Sequence, residues 1–489
     1  MGIIRRQGIK NTVLSYIGIA IGFVSLVLVQ PLLLEPEEIG LTRVLFSVSF
    51  LISTLSGLGI SSITIKYFPQ FRGTSDNHSG FILLVLLFPI LGGLLFSLLY
   101  VLFSDFIISL YIDNAPLFTE YYFWVIPFAF FIALFSNLSV YSAALFKTTV
   151  PTFLNDVLNR ALFLGVVVVY WLGWINLTGL IAMYIGIYFL QLLLLLLYIA
   201  KSDVLSLKLN RSLFAWPRLK PMLAFGALFL FLAFASMGLK LLDTVVLGQF
   251  VSLSLVGVYA VAVYIPTFIE APLNALDKIA GARIADHINK DEWTEIEKIY
   301  RLSSKYLLFI GGYLFVLVFT NIESLLTFLP EIYQQGALPV KIISIGALFN
   351  LLTGSNNSII FNSKRYGMGA LLLLLVLLLS VVLLYVLIPL YGITGAALAI
   401  MFSSVLYNAM KYLFIWRAFR IQPFDRSTLY SILLIVAVAG AIEFLLSFQI
   451  PILAILINTF VATSLFYLMG HVLGYTKDMG SVADFNLKL

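Results

Sequence analysis

The chain has 489 residues, 61% of them hydrophobic and only 11% charged, and contains no cysteine. Soluble globular chains run at roughly 25% charged, so an ordinary water-facing surface is excluded, and with it disulfides, thiolate metal sites and cysteine nucleophiles. The formal net charge is +6, but the basic residues are spread over many short segments and form no patch suited to nucleic acid.

Arg5, Arg6 and Lys10 precede an apolar stretch reaching to about Leu34. It is longer than a signal-peptide core and lacks a small-x-small cleavage site, so it is predicted to be a retained first span. Arg6 stands where a myristoylation signal needs Ser or Thr. Apolar segments follow near 11–34, 40–65, 80–103, 119–146, 150–173, 177–200, 221–247, 253–276, 306–328, 337–361, 368–388, 393–416, 428–447 and 450–473. Each is long enough to cross a hydrocarbon core of about 30 Å. Leu371 to Leu379 and Leu192 to Leu197 are apolar on every face, which rules out an alternating β-barrel strand and leaves helices as the spanning element. The predicted fold is an all-α polytopic membrane protein of about fourteen transmembrane helices.

With the N-terminus placed in the cytoplasm, the inner segments 1–10, 66–79, Lys147, 201–220, 277–305, 362–367, 411–426 and 474–489 hold 25 of the 29 Lys and Arg residues. The outer loops hold Glu35, Glu37, Glu38, Asp105, Asp113, Glu120, Glu323 and Glu331, and no Lys or Arg. Positive charge in short loops resists translocation, so both termini are expected in the cytoplasm. Trp171 and Trp174 then fall at the outer interface and Trp416 at the inner one. The polar stretch 277–305 carries Ile284, Ile288, Trp293, Ile296 and Ile299 and is predicted to form a short helix on the inner surface.

The spans repeat. Glu38-Ile39-Gly40 before span 2 matches Leu255-Val256-Gly257 before span 8 at an offset of 217, and Leu177-Thr178-Gly179 matches Ile393-Thr394-Gly395 at 216. Lys66 maps onto Arg283 and Lys147 onto Lys364, both at 217. A six-span unit begins and ends on one side of the membrane, so its copy inserts the same way up. Two six-helix bundles related by an axis along the membrane normal are predicted, 1–205 and 206–420, enclosing a central cavity, with two added helices and a short cytoplasmic tail in 421–489. This plan suits alternating access.

Four cations stay inside apolar segments: Arg43, Arg160, Lys240 and Lys341. A central Lys or Arg costs on the order of 2.5–3.5 kcal/mol to insert, so it is expected to face a wet cavity or a partner. Arg43 and Lys341 lie near the outer ends of their spans, where snorkelling is the competing explanation. Arg160 and Lys240 have Asp156 at i−4 and Asp243 at i+3, so intrahelical pairs compete there. Asn155, Asp156, Asn159 and Arg160 form a polar stripe on span 5, more than pairing needs, and are expected to line a cavity. Asp243 on span 7 and Glu270, between Pro266 and Pro272 on span 8, are candidates for coupling transport to a proton or Na⁺. Glu443 lies near the outer end of span 13, outside the repeat.

Gly18-xxx-Gly22 fits close helix packing. Catalytic patterns are missing: His78, His287 and His471 have no ligand spacing, Gly57-Leu58-Gly59 opens no phosphate loop, and no GxxxxGK[ST] is present. No metal, cofactor or enzymatic activity is expected, and the outer loops are too short to build the site of a glycosyltransferase or polymerase.

The basic N-terminus, the turn Glu35-Pro36-Glu37-Glu38-Ile39-Gly40, the segment Ser56-Gly57-Leu58-Gly59-Ile60 leading to Lys66-Tyr67-Phe68-Pro69, Asp243 with Val256-Gly257-Val258-Tyr259, and Gly392-Ile393-Thr394-Gly395-Ala396-Ala397 together resemble the polysaccharide transporter or O-antigen flippase family. That family belongs to the multidrug, oligosaccharidyl-lipid and polysaccharide exporter superfamily. The resemblance implies a flippase of the bacterial inner membrane that moves undecaprenyl-diphosphate-linked oligosaccharide outward, for lipopolysaccharide or another surface polysaccharide, alongside polymerase machinery. It also implies a cationic cavity for the diphosphate, a role that Arg43, Arg160, Lys240 and Lys341 can fill. A cation-coupled multidrug exporter of the same architecture and a lipid II flippase are the alternatives.

Overall fold

The computed structural model describes residues 2–71, 80–201, 215–446 and 448–472. The basic segments expected at 72–79 and 202–214, His78 and the tail from 473 lie outside the described residues. Among the described residues every regular element is helical. Thirteen helices are long and apolar enough to cross a membrane, and one of them, Tyr366–Phe419, has 54 residues with a break at Gly392 (φ 57°, ψ −131°). A side chain would be strained at that backbone angle, and the break separates two spans, which makes the fourteen predicted.

We number the spans α1 (Lys10–Leu33), α2 (Pro36–Ser56), α3 (Phe81–Leu102), α4 (Tyr122–Ala144), α5 (Thr149–Trp171), α6 (Leu177–Lys201), α7 (Trp216–Phe250), α8 (Leu253–Leu273), α9 (Trp293–Leu326), α10 (Glu331–Leu352), α11 (366–391), α12 (393–419), α13 (Arg426–Leu445) and α14 (Pro451–Val472). By packing, the chain divides into two compact units, Met1–Ala260 and Val261–Leu489.

In the first unit α2 is central and lies against α3, α4 and α7. It buries Thr42, Ser47, Ser49, Ser53 and Ser56, while the large side chains Leu94, Leu98 and Leu102 of α3 are exposed. Lipid tails are as apolar as leucine, so large side chains gain little by facing another helix, and small polar residues take the contacts instead. A core of Ile63, Phe68, Phe81, Tyr141 and Leu195 closes one end of this unit.

Where α2 and α8 begin, their backbones nearly touch. A Cβ on Gly40 would collide with the Leu253 carbonyl and lie 3.2 Å from the Gly257 nitrogen; one on Gly257 would collide with the Pro36 carbonyl and lie 3.2 Å from the Gly40 nitrogen. The contact is reciprocal, each glycine meeting the other segment's equivalent atoms. The two glycines are the pair matched at the 217-residue offset.

In the second unit α9 is central, against α10, α13, α14 and the helix continuing α8, around Leu307, Val316, Leu351, Ile435 and Phe466. The predicted surface helix within 277–305 is not separate. The α8 helix runs on to Asn289, turns, and restarts at Trp293 as one helix with α9. Its isoleucines face protein: Ile284 and Ile296 are buried with Ile359, Ile360 and Ile415, and Trp293 stacks on Phe419 with ring centroids 4.5 Å apart.

Candidate functional site

In the first unit, α5 contains a π-helical turn at Phe153–Leu158. The extra residue in such a turn shifts the register of the side chains that follow and often marks a functional position. It carries Asn155 and Asp156, with Asn159 and Arg160 one turn on. α1 approaches closely, because a Cβ on Gly18 would collide with the Asp156 carbonyl.

The stripe is knitted into its neighbours. Ser15 of α1 donates to Asp156 Oδ2 (2.9 Å) and Asn155 Nδ2 to Asp156 Oδ1 (2.9 Å). Asn159 Nδ2 donates to Gln191 Oε1 of α6 (3.1 Å), whose Nε2 donates to Asn155 Oδ1 (3.4 Å). Arg160 donates to the Gly18 carbonyl. Asn155 is exposed and Asn159 buried, so one end of the stripe reaches an open surface and the other is packed between helices.

Arg43 projects from α2, partly buried, and its charge acts on Tyr184 and Tyr188 of α6. Its Nε is buried without a hydrogen-bond partner. No carboxylate among the described residues forms an ion pair with it. At the start of the same helix, Glu35 and Glu38 form a capping box, and Tyr170 donates to Glu38.

The intrahelical pair that competes as an explanation for Lys240, with Asp243, is not formed. Lys240 is exposed, whereas Asp243 is buried and accepts from Tyr259 Oη (2.9 Å) and the Thr244 amide (2.7 Å). Asp243 has better partners on its own side of the helix, and the lysine points elsewhere.

In the second unit, Glu270 accepts from Asn350 Nδ2 of α10 at 3.0 Å. The charges of Glu270 and Asp277 both act on Lys411 of α12. This lysine, which the charge map assigns to the inner flank 411–426, is wholly buried: 1% of it is exposed. Its Nζ donates to Asn357 Oδ1 (3.0 Å) and lies 4.1 Å from the Tyr407 ring centroid. Thr353, Asn356 and Asn408 continue the network, and Asp277 Oδ1 is buried without a hydrogen-bond partner. The signal in the sequence is Ser404, Asn408 and Lys411 at helical spacing on one face of α12.

Lys341 donates to Glu323 and Glu443, both at 2.8 Å. Lys341, with Glu323, borders a cavity of about 670 Å³ that Gln334, Gln335 and Gln449 also line. Its charge is already matched within the protein, and Glu443, which sequence position alone gives no role, is one of its partners. Among the described residues no group of three His, Asp or Glu side chains is arranged to hold a metal ion.

No protein-family model and no curated protein matches the chain. Its fold is that of solved transporters. A lipid II flippase, MurJ, in an inward closed conformation superposes with a TM-score of 0.73 over 97% of this chain and 99% of its own, at 12% identity. An inward-facing MATE-family multidrug resistance transporter of the MOP superfamily gives 0.62 over 84% and 94%, at 14% identity. A mutant of the Vibrio cholerae MATE transporter VcmN gives 0.56 over 86% and 98%, at 15% identity.

Proposed function

We propose that this protein is a flippase that moves a polyprenyl-diphosphate-linked oligosaccharide across the bacterial inner membrane, both of its termini being cytoplasmic. It would use alternating access of the kind that duplicated six-helix bundles permit. The fold shared with a lipid II flippase and with MATE transporters supports the transport reading. Arg43 supports the anionic cargo: a guanidinium within a span, with a buried Nε lacking a hydrogen-bond partner, is a costly arrangement unless a ligand completes it.

A diphosphate offers the planar, bidentate oxygen pairs that guanidinium matches. Arg43 and Arg160 are the proposed holders of the head group, with Asn155, Asp156 and Asn159 positioning Arg160. Lys240, exposed and in no ion pair among the described residues, is available to the same phosphate as it moves. Lys341 ranks last, because Glu323 and Glu443 already neutralise it.

Coupling is proposed at Glu270. Glu270 and Asp277 both act on the Lys411 ammonium, and a proton taken up by either carboxyl would change the charge of this cluster. Asp243 is the second candidate, held by Tyr259. Glu270→Gln is expected to abolish the response of transport to a pH gradient while leaving downhill movement intact; equal gradient dependence in the variant would exclude Glu270.

Deleting the gene tests the cargo. Lipid-linked oligosaccharide is expected to accumulate in the inner leaflet and to be cleared by the wild type but not by Arg43→Ala. Unchanged glycan export combined with new sensitivity to cationic dyes would identify a multidrug exporter instead.

A further inference from the structure

In the second unit a groove of about 350 Å³ runs between the start of α11 and the last turns of α12. Its walls include Met368, Leu372, Leu413 and Phe414, and Arg365 and Arg417 stand within the same lining. We propose that this groove binds an anionic diacyl phospholipid, its phosphate held by Arg365 and Arg417 and the upper part of an acyl chain lying against the apolar wall. The site is independent of the transport reading and of which side of the membrane this end faces.

Charge complementarity carries the assignment. Neither arginine has an ion-pair partner among the described residues, and both are exposed. On the helical extensions of α8 and α9, by contrast, Lys290, Lys298 and Arg301 each have an acid of their own helix within 2.7 Å. The cations at the groove are thus left uncompensated where other cations of this unit are matched. Arg365 is held over the Phe419 ring, 5.8 Å from its centroid, which limits the directions its guanidinium can take. It occupies the N-cap position of α11, which sets its guanidinium at the end of that helix. Basic pockets between spans are the usual form of phospholipid head-group sites.

Two features select the ligand. The wall is apolar and exposed at Met368 and Leu413, so a free phosphate would leave it uncovered, whereas an acyl chain covers it. Lys364 and Arg420, both exposed, flank the arginines in sequence. A choline or ethanolamine head group would bring a further cation among them, which a glycerol head group does not.

The test uses the purified full-length protein, stripped of lipid in detergent and titrated with phosphatidylglycerol or phosphatidylcholine, with bound lipid counted by native mass spectrometry. Phosphatidylglycerol is expected to be retained with about tenfold preference, and Arg365→Gln with Arg417→Gln to lower that retention by about tenfold, leaving phosphatidylcholine unchanged. Lys290→Gln, on the paired surface, should bind like the wild type. If the double variant does not fold, Leu413→Trp decides, because it keeps both arginines, fills the wall and must by itself lower retention. Equal binding of the two lipids, unaltered retention in the folded double variant or in Leu413→Trp, or displacement by glycerophosphate as effective as by the lipid would overturn the proposal. So would displacement by polyprenyl phosphate at lower concentration than by phosphatidylglycerol, which would make the groove part of the cargo's path.

Discussion

Two cations within the spans, Arg43 and Lys411, separate the roles a charge can have inside this protein. Among the described residues Arg43 forms no ion pair and its Nε has no hydrogen-bond partner, whereas two acids act on Lys411, so removing them should have opposite consequences. Arg43→Ala relieves an unmet donor; folding stability in detergent should be unchanged or slightly higher, while cargo movement falls. Arg43→Lys should rescue only in part, because an ammonium does not reproduce the bidentate guanidinium contact. Lys411→Gln removes the cation whose charge acts on Glu270 and Asp277, and breaking a buried charge cluster in this way costs on the order of 3–5 kcal/mol. A thermal melt of the purified variant checks this, and adding Asp277→Asn should restore part of the loss; a melt equal to wild type for Lys411→Gln alone would show that the lysine carries no structural charge. Lys341→Met should matter less, because Glu323 is largely exposed and water can take over from the lysine.

At the level of elements, two devices fix helix ends. Gly40 and Gly257 allow α2 and α8 to cross in near contact, so Gly40→Leu would force backbones apart, costing about 1–3 kcal/mol or more, visible as a lowered melting temperature. Asp425 caps α13, accepting from the Thr428 amide at 3.1 Å. Partial burial pushes the Asp425 carboxyl up, but hydrogen bonds from Ser427 and Thr428 outweigh it and hold the group below its usual range. A depressed carboxylate stabilises the fold above its unfolded-state pKa and loses that contribution as pH falls through the folded value. Asp425→Ala should therefore cost about 1 kcal/mol at neutral pH and progressively less in acid; a difference that persists undiminished at low pH would contradict the cap. The spans themselves are legible in the sequence, because twenty apolar residues admit no other reading in a chain with so few charges, and Gly392 falls between two expected segments. The helical extensions of α8 and α9 escape such a reading because an amphipathic stripe has the same sequence whether it covers protein or membrane. Lys411 passes for topology because it lies near a span's end, where most lysines orient the chain. The Lys341–Glu443 contact joins residues 102 apart, which spacing rules within one helix cannot reach.

Over the whole molecule, charge distribution and repetition lead to the same picture. The glycines matched at the 217-residue offset, Gly40 and Gly257, are in reciprocal contact, as the expected duplication of a six-span unit would require, and Arg43, Arg160, Lys240 and Lys341 lie within the spans. Arg43 and Lys411 have no basic counterpart at the 217-residue offset. In the proposed mechanism an intramembrane guanidinium, that of Arg43, receives a lipid-linked diphosphate. Reconstituted in liposomes carrying a polyprenyl-diphosphate oligosaccharide, the wild type should move it between leaflets, and Arg43→Ala, with an unchanged melting temperature, should be slower by about tenfold or more. Equal rates for the two proteins, or no movement by the wild type, would contradict the account.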